Sequence, residues 1–191
     1  MRIDELTFPA TIEDAGRILQ RSGYEQIGHD ASYGLVFHKP GERFVLKIYA
    51  NDDDAFPRFV DFCRRQSNIH FPRFARGSVL IRGTNYSAVK TELLTEGDPA
   101  RLSEVAGYFK NILLLGWPTS PNGPNAVKFI NNSPQQAATY LPWLKANLSL
   151  GQAFALLKAE FSGMRDIHFD LHHENMMMRG ETIVIIDPIS P

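Results

Sequence analysis

Ile167-His168-Phe169-Asp170-Leu171-His172-His173-Glu174-Asn175 is followed, after three methionines and a turn, by Ile183-Val184-Ile185-Ile186-Asp187-Pro188. This stretch decides the fold. Met176-Met177-Met178 reads as one short strand, Arg179-Gly180-Glu181 as a turn and 182–186 as a second strand, since apolar runs bounded by a glycine turn form hairpins. The hairpin carries Asp187 back towards Asp170 and Asn175. An acid, an amide and a second acid gathered in this way suit the orientation of an attacking hydroxyl and the holding of Mg²⁺ against phosphate oxygens. A metal-only site of His168, Asp170, His172 and His173 competes with that reading, because imidazoles and carboxylates suit transition metals.

Working outward, Phe44-Val45-Leu46-Lys47 lies in a strand predicted over 43–49. Strand alternation puts Lys47 on the face of Val45 and Tyr49, an ammonium among apolar neighbours. Before it, Thr11-Ile12-Glu13-Asp14 has the form of a capping box and opens a helix with Ile12, Ala15, Ile18 and Leu19 on one face. Gly23 closes that helix, and a hairpin of 24–28 with 33–38 follows. A second helix runs from about 51 to 66, with acids in its first turn and Phe56, Phe59, Val60 and Cys63 as its apolar stripe. Two further strands are expected over 78–82 and 86–94. Asp98 and Pro99 then cap and open a helix to about 115, with Leu102, Val105, Phe109, Ile112 and Leu113 on one face. Residues 116–134 read as the most mobile loop, being rich in Pro, Gly and Asn. A helix over 135–145 is expected to break at Pro142, and Ser149-Leu150-Gly151-Gln152 reads as the capping box of the helix that feeds the Asp170 loop.

Composition narrows the classes. The 191 residues allow one domain or two small lobes, and a hydrophobic fraction of 43% supports an ordinary core. A net charge of −1 gives no field that favours nucleic acid or an anionic membrane. Cys63 stands alone, which excludes an internal disulfide framework and fits a reducing compartment. Met1-Arg2-Ile3-Asp4-Glu5 is too acidic for a signal peptide, and the longest apolar run, 112–115, is too short to span a bilayer. The expectation is a cytoplasmic protein, or one exported without a hydrophobic N-terminal signal.

His168-Phe169-Asp170-Leu171 with Asn175 resembles the H-x-D-x-x-x-x-N catalytic loop of protein kinases and aminoglycoside-phosphotransferase-like kinases, and Ile186-Asp187-Pro188 resembles the metal-binding segment after it. A nearer likeness is to the serine/threonine kinases of T-seven-type bacteriophages, through F-D-[LM]-H-x-x-N-[IM]-M followed by an acidic I/T-D-P-[IV]-S. The small type III effector kinases of plant-associated bacteria are a looser likeness. The resemblance implies ATP and Mg²⁺ as cofactors, Asp170 as catalytic base, and Asn175 and Asp187 as metal ligands. Phe44-Val45-Leu46-Lys47 resembles the V-A-I-K strand, which makes Lys47 the contact to the α- and β-phosphates. In the segment His29 to Val36, Gly34 and Val36 fit the third glycine and the valine of a phosphate loop. His29 and Ala31 stand at the first two glycine positions, and Gly28 is one residue out of register.

By the same likeness Thr91 is the gatekeeper, and the backbone of Glu92 and Leu94 holds adenine. The helix after the lysine strand would supply a carboxylate to Lys47; it has no glutamate, and Asp53, Asp54 and Asp61 are the candidates left open. His168 is expected to pack and hydrogen-bond within the loop rather than catalyse, and His172, His173 and Glu174 to touch substrate.

The implied fold is α+β: a bilobal protein-kinase-like fold with an N-lobe of antiparallel sheet plus helix over 1–96. A reduced helical C-lobe without activation segment follows over 97–191. Pro191 comes four residues after Asp187, and Phe169 replaces the Arg of H-R-D, so the likeness implies a minimal kinase not switched by activation-loop phosphorylation. The implied function is ATP- and Mg²⁺-dependent transfer of the γ-phosphoryl group to protein Ser/Thr hydroxyls, by a phage or bacterial effector enzyme acting on host proteins in the host cytoplasm. The alternatives are a small-molecule phosphotransferase, a nucleotide-binding pseudokinase and, more rarely, AMP transfer.

Overall fold

The computed structural model describes residues 11–31, 34–50, 52–76, 79–80 and 86–191. Met1 to Glu5, Ser32 and Tyr33 of the expected phosphate loop, Asn51, and Ser78, Ile81 and Arg82 of an expected strand lie outside them. The chain divides into two compact units. The described residues of Met1–Arg65 and Pro72–Leu94, with Pro191, form the first; Gln66–Phe71 and Thr95–Ser190 form the second.

In the first unit Thr11 accepts a hydrogen bond from the Asp14 amide and caps α1 (Ile12–Arg21), and Gly23, at φ 83°, turns the chain out of it. The strands β1 (Glu25–Ala31), β2 (Gly34–His38), β3 (Phe44–Ala50), β4 (Val79–Leu80) and β5 (Tyr86–Glu92) make one antiparallel sheet in the order β1-β2-β3-β5-β4. Alternation along central β3 serves both faces of the sheet. Leu46 and Ile48 join Phe37 and Ala88 against Ala15 and Leu19 of α1. Tyr49 and Val89 pack with Phe56 and Val60 of α2 (Ala55–Arg65). The helix starts at Ala55 because Asp53 is its cap: Asp53 Oδ1 accepts from the Ala55 and Phe56 amides at 3.1 and 3.0 Å. Gly34 is demanded by the sheet itself, since a Cβ there would run into the Ile48 carbonyl oxygen.

The second unit holds α3 (Pro99–Leu114), α4 (Pro124–Asn132), α5 (Pro134–Ala146) and α6 (Leu148–Phe161). After them come β6 (His168–Phe169), the hairpin β7 (Met176–Arg179) and β8 (Thr182–Ile185), and β9 (Ile189–Ser190), which pairs with β6. Asp98 caps α3 through the Ala100 amide, and Phe109 of α3 stacks on Phe154 of α6 at 4.3 Å.

Three expectations are corrected here. The segment 116–134 is not all loop: Pro124 sits in the first turn of α4, where its missing N–H costs nothing, and Ala126 and Phe129 are buried. α5 runs on through Pro142, whose ring sits on the exposed side while Tyr140 and Leu144 stay in the core. Tyr140 ties it down further, within 5.8 Å of the rings of Trp117 and Trp143 and with its hydroxyl donating to the Pro118 carbonyl at 2.8 Å. Ser149 does not cap α6, which begins after Asn147 without a side-chain cap, because its hydroxyl is committed to His70. In class the fold is the α+β one expected, with an antiparallel sheet and helices in the N-terminal unit and helices with short hairpins in the second. Among the described residues, no helix is long and apolar enough to cross a membrane.

Candidate active site

The site is built on the loop between β6 and β7. Phe169 faces inward, its ring edge-on to Phe109 at 5.7 Å, so the strand that delivers Asp170 is anchored to the α3–α6 core. His168 is exposed, which corrects its expected packing role: the inward residue of this strand is Phe169. The Asp170 amide donates to the Pro188 carbonyl at 2.9 Å, and the Ile186 amide donates to the Asn175 carbonyl at 2.9 Å. Asp187 lies between those two bonds in sequence. The backbone therefore brings Asp170, Asn175 and Asp187 together, as the hairpin pattern implied.

The side chains refine this. Asn175 Nδ2 donates to the Asp170 backbone oxygen at 2.9 Å and to Asp170 Oδ2 at 3.1 Å. Its amide is thereby fixed with Oδ1 turned away from Asp170. His172 Nε2 stands 3.2 Å from the same Oδ2 and 3.1 Å from Asn175 Nδ2, while Nδ1 is 3.6 Å from Glu174 Oε2. With Asn175 as donor to Asp170, the consistent arrangement has His172 Nε2–H donating to Oδ2 as well. Asp170 Oδ2 is then held by two donors, and Oδ1 is the oxygen left to meet a substrate. The Asp170 side chain is 45% exposed and so can be reached by one. Among the described residues no group of three or more His, Cys, Asp and Glu gathers as a metal cluster, which removes the metal-only arrangement of His168, Asp170, His172 and His173. An amide oxygen and a carboxylate, Asn175 Oδ1 and Asp187, are hard ligands of the kind Mg²⁺ takes beside phosphate oxygens and water.

The other expected residues belong to the first unit. Lys47 pairs across the sheet with Val36 and Val89, and Gly34 lies two residues along β2. Its ammonium stands 3.7 Å from the ring centroid of Phe56, a contact that a search for carboxylates could not find. Asp53 spends Oδ1 on the α2 cap, Asp61 pairs with Arg64 at 3.3 Å and Asp54 is exposed. At the end of β5 the Glu92 amide donates to the Arg73 carbonyl, and Glu92 Oε1 accepts from the Arg73 amide at 2.8 Å. Leu94, the last residue of this unit's second stretch, is half-buried.

One buried residue escaped the sequence reading. His70 Nδ1 donates to the Ile183 carbonyl at 2.7 Å and Nε2 accepts from the Ser149 hydroxyl at 2.9 Å, while its own carbonyl accepts from the Ile185 amide. Arg179 reinforces the segment by donating to the carbonyls of Ile69 and Phe71. The hairpin that carries Asp187 is therefore braced along its outer edge by residues 69–71. The available sequence signal was a histidine set between Ile69 and Phe71.

No protein-family model matches the chain, and no curated protein matches it. Among solved structures, the chain is similar to the Cydia pomonella granulovirus kinase PK-1, at 17% identity and a TM-score of 0.42. That alignment covers 92% of this chain and 57% of that one. It is also similar to Rad53, solved in complex with AMP-PNP, at 12% identity and a TM-score of 0.28, with 60% of this chain and 38% of that one covered. The chain thus spans little more than half the length of the first and less of the second. Both TM-scores lie below 0.5, so the case for the site rests on its own geometry.

Proposed function

We propose that this chain is an ATP- and Mg²⁺-dependent phosphotransferase of protein-kinase type, acting on protein Ser/Thr hydroxyls. The observation that carries the reading is the clamp on Asp170. Asn175 Nδ2 and His172 Nε2 converge on Oδ2, and Asp187 is bracketed by backbone bonds to the same loop. A carboxylate held by one oxygen presents the other in a fixed direction, which is what positioning an acceptor hydroxyl requires.

In this reading Asp170 Oδ1 takes the acceptor's proton as the acceptor oxygen attacks the γ-phosphorus of ATP, and ADP departs in line. Asn175 Oδ1 and the Asp187 carboxylate are the residues that would hold Mg²⁺, which when bound neutralises charge on the phosphate oxygens. Lys47 is the cation the reading assigns to the α- and β-phosphates. The backbone at Glu92 and Leu94 is assigned to adenine. The phage-kinase likeness of the Asp170 loop supports host proteins as targets and the host cytoplasm as the place of action.

Purified protein incubated with γ-labelled ATP and Mg²⁺ is expected to label itself or a generic protein substrate, and α-labelled ATP is not. Transfer of the α-label would replace the reading with AMP transfer. Nucleotide binding without any transfer would replace it with a pseudokinase, and transfer confined to small acceptors with a small-molecule phosphotransferase.

A further inference from the structure

We infer that Phe56 is the positioning residue for Lys47, and that α2 holds this ammonium through an aromatic face. The inference rests on Lys47 as a nucleotide-phosphate cation. The Lys47 ammonium lies 3.7 Å from the Phe56 centroid, close to van der Waals contact with the ring and well within cation–π range. The ring is itself fixed. Phe56 is 2% exposed, meets Tyr49 edge-on at 5.0 Å and Phe74 edge-on at 6.1 Å, and its amide is bonded to Asp53 Oδ1 at 3.0 Å. Asp53 therefore contributes to Lys47 indirectly, by setting the first turn of α2.

The acids of α2 and its approach are otherwise engaged or exposed, as described for Asp53, Asp54 and Asp61. On β3 the flanking residues Leu46 and Ile48 turn to the α1 side, so the lysine emerges among Val36, Val89 and the Phe56 ring.

The chemical consequence concerns charge. A carboxylate partner on α2 would neutralise the ammonium and tie its position to a screened, competable ion pair. An aromatic face orients the ammonium by its quadrupole and itself subtracts no net charge. A contact to a buried ring also changes less with added salt than an exposed ion pair.

The test uses the full chain with lysine labelled at ¹³Cε, the Lys47 signal being assigned from its loss in Lys47→Met. Protons over a ring face are shielded, so the wild-type Lys47 ε-CH₂ signal is expected upfield of the other lysines. Phe56→Leu is expected to abolish that shift and to raise the Kd for Mg·ATP about 2- to 30-fold, the span of a cation–π contact. Phe56→Trp keeps a ring face and is expected to preserve both.

Replacement of Phe56 by pentafluorophenylalanine keeps the shape and reverses the quadrupole. It serves as the second variant should Phe56→Leu fail to fold, and is expected to weaken Mg·ATP in the same direction. An unshifted wild-type signal, or folded Phe56→Leu and pentafluoro variants that bind Mg·ATP as wild type does or more tightly, would overturn the inference. A wild-type chain with the ring-shifted lysine that binds no Mg·ATP would overturn the nucleotide reading instead, and with it the phosphate role of Lys47, while the contact itself stood.

Discussion

Replacing His70 probes the brace behind the hairpin that carries Asp187. His70 is 7% exposed and its ring makes two hydrogen bonds, to Ile183 at 2.7 Å and to Ser149 at 2.9 Å. His70→Ala leaves the Ile183 carbonyl unpaired in a closed space and the Ser149 hydroxyl without its acceptor. At about 1–3 kcal/mol for each orphaned group, the expected loss is roughly 3 kcal/mol. His70→Asn can still donate to Ile183 and should lose about half as much.

The pH dependence separates the two effects. Burial holds the His70 pKa below its ordinary value of 6.5; the Ile183 bond pulls the other way and the nearby Arg179 charge adds to the lowering. Well above pH 6.5 neither folded nor unfolded chain is protonated at this ring, and the group adds no pH slope. As pH falls through 6.5 the unfolded chain takes up the proton first. Stability is then lost until the pH passes the lower folded value, at no more than about 1.4 kcal/mol per pH unit. Urea unfolding of wild type, His70→Ala and His70→Asn at pH 7.5, 6.5 and 5.5 measures both effects. Wild type should lose more stability than either variant between pH 7.5 and 5.5. Equal slopes in all three proteins, or variants as stable as wild type at pH 7.5, would refute the reasoning.

Two further perturbations address the chemistry. Asp187→Ala should weaken Mg·ATP binding together with turnover. Asp170→Ala should leave nucleotide affinity nearly intact and reduce phosphoryl transfer about 10²–10⁴-fold, as nucleotide titration and turnover measured on the same preparations will show. His172→Leu removes one of the two donors on Asp170 Oδ2 and should lower kcat about tenfold with the KM for ATP unchanged. His172→Gln, which can offer an N–H near the same point, should recover most of the loss, and a KM effect without a kcat effect would contradict the assignment.

What could be read from the sequence was local. The α1 cap at Thr11, the α3 start at Asp98 and Pro99, and the Met176–Ile185 hairpin all announce themselves within a few residues, and each formed. The gathering of Asp170, Asn175 and Asp187 was legible for the same reason, because one short hairpin connects them. Misreadings arose where a local signal was outweighed at a distance. Ser149 fits a capping box, yet its hydroxyl found His70, 79 residues away in sequence. The Pro-rich composition of 116–134 reads as loop and Pro142 as a break, whereas Pro124 occupies a first helical turn and Pro142 projects from an exposed face. The contact of Lys47 with the Phe56 ring is invisible to a pattern of charges, since an apolar residue of α2 makes it. Nothing near His70 in the chain signals partners 79 and 113 residues further on.

The assignment of Gln66–Phe71 to the second unit also has a kinetic side. A ribosome releases these six residues well before the groups they bond. At about 5–20 residues per second, the 113 residues between His70 and Ile183 amount to a wait on the order of ten seconds. Through that interval His70 waits without the groups that its ring and carbonyl meet in the folded unit. The same connectivity forbids a clean dissection. A fragment begun at Thr95 would lack the residue whose carbonyl receives the Ile185 amide and whose ring receives the Ser149 hydroxyl, so the strand leading to Asp187 would be left with a raw edge.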